Sequence, residues 1–145
     1  MLIPTTRKGD NVILNTDYPQ EEEFALGDKD FLCYYYFWMF PRKTKLFYER
    51  FLRFQGINEK LATKWKEDYK LLIKKALKNT NRTRFLSKNP PNTARIKVLL
   101  DMFPNAKFIF IHRNPVEVFL STRNFFNKMM PYLQLQKLNL KNGKN

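Results

Sequence analysis

Arg113-Asn114-Pro115, then Glu117 and Ser121, place an arginine, a helix start and a hydroxyl close together. Asparagine is a strong N-cap, proline is tolerated in a first turn, and a glutamate three residues past the cap completes a capping pattern. A helix N-terminus presents free N–H groups and partial positive charge to an anion. Arg113 adds a guanidinium suited to bidentate phosphate contact. Glu117 and Ser121 share a helix face, so the hydroxyl lies on the side leading back to Arg113. Arg113 and Ser121 together suit a monophosphate; the plainer alternative is a strand-end arginine and a packed serine.

These groups need a frame. Residues 107–112 form a β-rich run that reads as a strand buried on both faces. A shorter run, 84–88, precedes Asn89-Pro90-Pro91-Asn92 and a helical stretch over 93–102, which Pro104 ends. Strand, helix, strand, helix with short connections makes a βαβα unit, hence an α/β fold whose parallel sheet has flanking helices. Lys88 and Arg113 then stand at the carboxyl ends of the two strands, the edge where such sheets bind ligands. His112, the only histidine, falls on the opposite strand face from Arg113 and reads as a packed residue.

The N-terminal half is helix-rich. Residues 1–19 read mostly as loop, 20–26 as a short acidic helix stopped by Gly27, and 28–40 as a helix capped by Asp28 or Asp30, although 34–38 would also suit a strand. A helix over 44–54 ends before Gly56. The clearest helix, 58–78, has Asn58 as cap and Leu61, Trp65, Tyr69, Leu72 and Ile73 at helical spacing. The lysines on its remaining face read as solvated. Residues 1–130 form one domain, followed by a basic, frayed tail over 131–145.

The formal charge of +14, from 27 Lys and Arg against 13 Asp and Glu, favours anionic partners. A basic nucleic-acid-binding protein without catalysis is the alternative reading, disfavoured because no zinc finger, KH loop or RNP-type strand is visible. One His and one Cys cannot assemble a zinc site of the usual kind, so no metal is expected. The lone Cys33 suits a reducing, cytoplasmic setting. The densest apolar run, 31–40, is too short to span a bilayer.

Arg113-Asn114-Pro115 with Ser121 resembles the 3′-phosphate-binding motif of sulfotransferases, which use 3′-phosphoadenosine 5′-phosphosulfate. Flanking segments resemble a bacterial-type branch of that family in register: Phe85-Leu86-Ser87-Lys88-Asn89-Pro90, Thr93-Ala94-Arg95-Ile96 and Phe103-Pro104-Asn105-Ala106-Lys107-Phe108-Ile109. Pro19-Gln20-Glu21-Glu22-Glu23-Phe24-Ala25-Leu26 is similar to an upstream segment of that branch. The resemblance implies a P-loop-like sulfotransferase fold and transfer of a sulfuryl group from this nucleotide co-substrate to a hydroxyl-bearing acceptor.

It also implies roles. Arg113 and Ser121 would hold the 3′-phosphate, and Glu22 or Glu23 would be the base on the acceptor side. Lys88 would approach the sulfuryl or bridging oxygen. Some relatives carry a histidine shortly after this point, where Asn92 stands here. The family's 5′-phosphosulfate loop has no good counterpart: Thr5-Thr6-Arg7-Lys8-Gly9 has suitable residue types but neither the strand before nor the helix after. That loop belongs upstream of the acidic segment, so the chain reads as an incomplete sulfotransferase domain. It is either a truncated product or a diverged protein keeping the second half of the fold. A kinase-like P-loop protein is disfavoured by the missing glycine loop.

Overall fold

The computed structural model describes residues 5–6, 13–15, 18–29 and 31–137. Their architecture is helical, and α4 (Glu59–Thr80) is its axis. Asn58 caps it as expected, its Oδ1 accepting the Lys60 N–H at 2.8 Å. Asn81 closes it in the left-handed region, its N–H returning to the carbonyls of Leu77 and Lys78. Trp65 and Tyr69 are fully buried and meet Leu26, Leu32, Leu99 and Met102 in the core.

Helix α1 (Glu22–Lys29) packs against α4. It does not stop at Gly27 but runs through it to Lys29, whose ammonium reaches Asp68 of α4 at 2.8 Å. Glycine is there for space: a Cβ at position 27 would stand 2.8 Å from Cys33 Sγ. The single helix expected over 28–40 is likewise absent. Asp28 ends up inside α1, Asp30 lies outside the described residues, and only α2 (Tyr36–Met39) is helical beyond the 34–35 turn.

The stretch expected as one helix over 44–54 is α3 (Thr44–Phe47) widening into a π turn, Tyr48–Leu52. Phe54 and Gly56 then reverse the chain with φ of 57° and 64°. Residues Pro90–Ala94 form a 3₁₀ turn leading into α5 (Ile96–Met102). Helix α6 (Pro115–Leu133) starts where the sequence marks it, Asn114 Oδ1 accepting the Val116 N–H at 2.9 Å. It passes through Pro131, and the Leu135 N–H then donates to the Met39 carbonyl at 2.9 Å. Of the segment expected as a tail, residues 138–145 lie outside the described residues.

Among the described residues there is no strand, only an isolated antiparallel bridge between Thr6 and Ile13. The runs 84–88 and 107–112, expected as parallel strands, carry no ladder. A strand exists only by pairing, and among the described residues nothing lies alongside either run to pair with it. Ile109, Phe110 and Ile111 are consequently about 80% exposed. His112, expected to be packed in the strand, is exposed for the same reason. Among the described residues no helix is long and apolar enough to cross a membrane.

Candidate active site

The first turn of α1 and the segment 87–95 form a buried polar cluster beside the core. Consecutive carboxylates on a helix point in different directions, and the three glutamates here meet three environments. Glu21, on the rim, accepts the Tyr35 hydroxyl at 2.7 Å and pairs with Lys88. Glu23, fully buried, forms a two-pronged pair with Arg95, the guanidinium nitrogens at 2.6 and 3.0 Å from its oxygens. It also accepts the Tyr34 N–H and, at 3.4 Å, an N–H of the Asn89 amide.

Glu22 is buried but only partly satisfied. The Ser87 hydroxyl and its own backbone N–H approach it, yet among the described residues Oε2 has no partner. Burial pushes its pKa above the ordinary carboxylate range; its own N–H and Ser87 pull the other way, and Glu21 and Glu23 add to the rise. Ser87 accepts an N–H from Asn92 at 2.9 Å, which leaves the serine proton free for Glu22. Asn92 also donates to the Tyr69 hydroxyl at 3.2 Å. Among the described residues the buried Asn89 Oδ1 is a second acceptor of this cluster without a donor. A carboxylate with raised proton affinity and an open oxygen, beside a hydroxyl, is the equipment of a general base.

Lys88 is 82% exposed and reaches the cluster through Glu21. Arg113 and Ser121 are exposed on the α6 side, and among the described residues neither side chain makes a hydrogen bond or ion pair. Arg7, Lys8 and Gly9 lie outside the described residues. So the structure brings Glu21, Glu22, Glu23 and Lys88 together, and the pair Arg113 and Ser121 stands apart at a capped helix start. Two surface concavities lie elsewhere, one on the outer face of α4 around Thr63 and one beside Arg42 and Arg50. Among the described residues no group of His, Cys, Asp and Glu is arranged to hold a metal ion.

The sequence alone does not single out Arg95, Asn89, Ser87 and Tyr69 as members of this cluster. The first three stand inside the segments resembling the family, but the signal that separates them is burial. Arg95 is 0% exposed, its Nη2 donates to the Phe51 carbonyl at 2.8 Å, and its guanidinium carbon lies 4.8 Å from the Trp65 ring centroid.

Comparisons with known proteins bear on this arrangement. Residues 13–142 match the model of the sulfotransferase family. The chain is 34% identical over 121 residues to the omega-hydroxy-beta-dihydromenaquinone-9 sulfotransferases of Mycobacterium bovis (strain ATCC BAA-935 / AF2122/97) and Mycobacterium tuberculosis (strain CDC 1551 / Oshkosh). The alignments cover 83% of this chain and 31% of each relative, so it spans about a third of their length. No solved structure matches. The matched region holds both the acidic turn and the Arg113 to Ser121 unit, and the chain belongs to the sulfotransferase family.

Proposed function

We propose that this chain carries the acceptor side and the 3′-phosphate clamp of a sulfotransferase that uses 3′-phosphoadenosine 5′-phosphosulfate. The observation that carries the reading is the buried Glu22 carboxylate, open at Oε2, within a chain whose family match runs through both half-sites. Glu22 takes the proton of the acceptor hydroxyl as its oxygen attacks sulfur. The bond from sulfur to the 5′-phosphate oxygen breaks, and adenosine 3′,5′-bisphosphate leaves with the electron pair. Lys88, exposed at the rim, supplies positive charge toward the leaving phosphate. Arg113, Ser121 and the first N–H groups of α6 hold the 3′-phosphate.

In this reading the runs 84–88 and 107–112 take places in the parallel sheet that the family resemblance implies. The acceptor is a hydroxyl on an apolar molecule. Two things support that class: the aromatic ledge of Phe24, Tyr34, Tyr35 and Trp38 beside Glu21, and the omega-hydroxy compound in the relatives' name.

Calorimetric titration with adenosine 3′,5′-bisphosphate tests the clamp. Binding is expected, and Arg113→Ala should weaken it about 10- to 100-fold, the worth of a charge-assisted hydrogen bond of roughly 1.5–3 kcal/mol. Heat that Arg113→Ala leaves unchanged, or no heat at all, sinks the assignment. Affinity for unrelated polynucleotides that collapses with added salt and ignores Arg113 points instead to nonspecific binding by the basic surface.

A further inference from the structure

The Glu23–Arg95 pair sits between the two segments that carry the reacting groups. Glu23 is bonded in sequence to Glu22, and Asn89, which donates to Glu23, is bonded to Lys88. Arg95 also holds the Phe51 carbonyl through Nε and Nη2 at 3.3 and 2.8 Å and lies over Trp65. One ion pair thus ties α1, the π turn, α4 and the 87–95 segment at a single point.

Stability alone is a weak reason for such a device, because a well-packed apolar replacement of a buried ion pair is often as stable. What an apolar replacement lacks is charge control. Glu22 is the neighbouring buried carboxylate, open at Oε2 among the described residues, and it stands one residue along the same helical turn from the carboxylate that Arg95 holds. An Arg95 without Glu23 would therefore have a second anion to seize.

We propose that Glu23 and Arg95 are a positioning pair: by engaging each other they fix the first turn of α1 against the 87–95 segment and keep Arg95 from claiming Glu22. This rests on the reading of Glu22 as the base. The groups facing Glu22 are Glu21 and Glu23 from its own turn, Ser87 from the extended segment and Tyr69 from α4; Lys88 is engaged by Glu21, and Arg95 by Glu23.

The test titrates the Glu22 side-chain carboxyl by NMR in the full chain labelled with carbon-13 glutamate, its signal assigned by loss in Glu22→Gln. In Glu23→Gln the unpaired Arg95 should draw the Glu22 midpoint down by about 1–3 pH units, to below the ordinary glutamate value. In the double variant Glu23→Gln/Arg95→Met, which removes both charges, the midpoint should stay raised as in the unaltered chain. A pair that only supports packing gives another pattern: both variants loosen the site and the midpoint relaxes to the ordinary value in each.

Equal midpoints in the two variants, or no change in Glu23→Gln, overturn the proposal. If Glu23→Gln does not fold, the double variant decides alone, a raised midpoint supporting the pair and an ordinary one sinking it. Sulfuryl transfer from 3′-phosphoadenosine 5′-phosphosulfate is followed separately on the same proteins. Transfer that survives Glu22→Gln removes the base reading without touching the titration result.

Discussion

Glu22 and Glu23 are neighbours in one helical turn, and what separates them is the partner each finds inside. Glu23 receives Arg95, the Tyr34 N–H and Asn89, so its buried charge is compensated on both oxygens. Glu22 is buried beside Ser87, with no cation paired to it among the described residues, and desolvation raises its proton affinity. The consequence for stability has a definite sign. A group whose folded pKa lies above its unfolded value binds more protons in the folded state, so stability falls as pH rises through that window. Glu22 therefore contributes fully below the ordinary glutamate pKa and loses that contribution as pH climbs through its raised value. Glu22→Gln, which keeps the shape and drops the titration, should flatten this part of the profile and make the chain more stable at pH 7. Urea unfolding midpoints between pH 4 and pH 8 check it. A Gln variant with the same slope as the unaltered chain would show that Glu22 does not carry the dependence. Consecutive acids in a sequence announce this division only as a choice among three, because it is decided by residues about 70 positions away in the chain.

At the scale of elements, the contact between α1 and the 31–33 segment turns on Gly27. Glycine inside a helix costs roughly 1 kcal/mol relative to alanine, yet an alanine Cβ here would sit 2.8 Å from Cys33 Sγ. Cys33 is buried, and its thiol, whose pKa burial pushes up to about 11, donates to the Glu23 carbonyl at 3.8 Å, which holds Sγ in place. Overpacking typically costs 1–3 kcal/mol, which outweighs the propensity gain. Gly27→Ala should therefore destabilise the chain by about 1 kcal/mol net, whereas in a Cys33→Ala background the same change should be neutral or stabilising. Equal effects in the two backgrounds, read as unfolding midpoints, would remove the steric account. From the sequence Gly27 looks like a helix stop, since a glycine after an apolar run commonly is one; close approach to a cysteine six residues on leaves no local mark. The starts of α4 and α6 are legible for the opposite reason. Asn58, Asn114 and Pro115 act through their own backbone and the next turn, so the information is local.

On the scale of the whole molecule, the strand runs are the features whose sequence pattern and conformation part company. Residues 84–88 and 107–112 have β composition, but a strand is completed by a neighbour, and among the described residues none stands beside them. The outcome is an uncovered apolar ridge: Ile109, Phe110 and Ile111 at about 80% exposure, continuing onto Val116 and Phe119 of α6 at 63% and 65%. A β-rich apolar segment such as 108–111, whose backbone groups make no ladder among the described residues, is a template for pairing with another chain. Opposing that is the net charge of +14, which makes copies repel one another. The repulsion is screened over about 10 Å at 0.1 M salt and about 3 Å at 1 M, while apolar attraction persists. Self-association should therefore grow as salt is raised, contrary to the behaviour of a complex held by charge. Ile109→Lys combined with Ile111→Lys should abolish it with little loss of stability, because neither side chain is in the core. Light scattering of both proteins across that salt range measures the effect. Scattering that stays flat with salt, or rises equally in the lysine variant, would mean that this ridge is not the surface that associates.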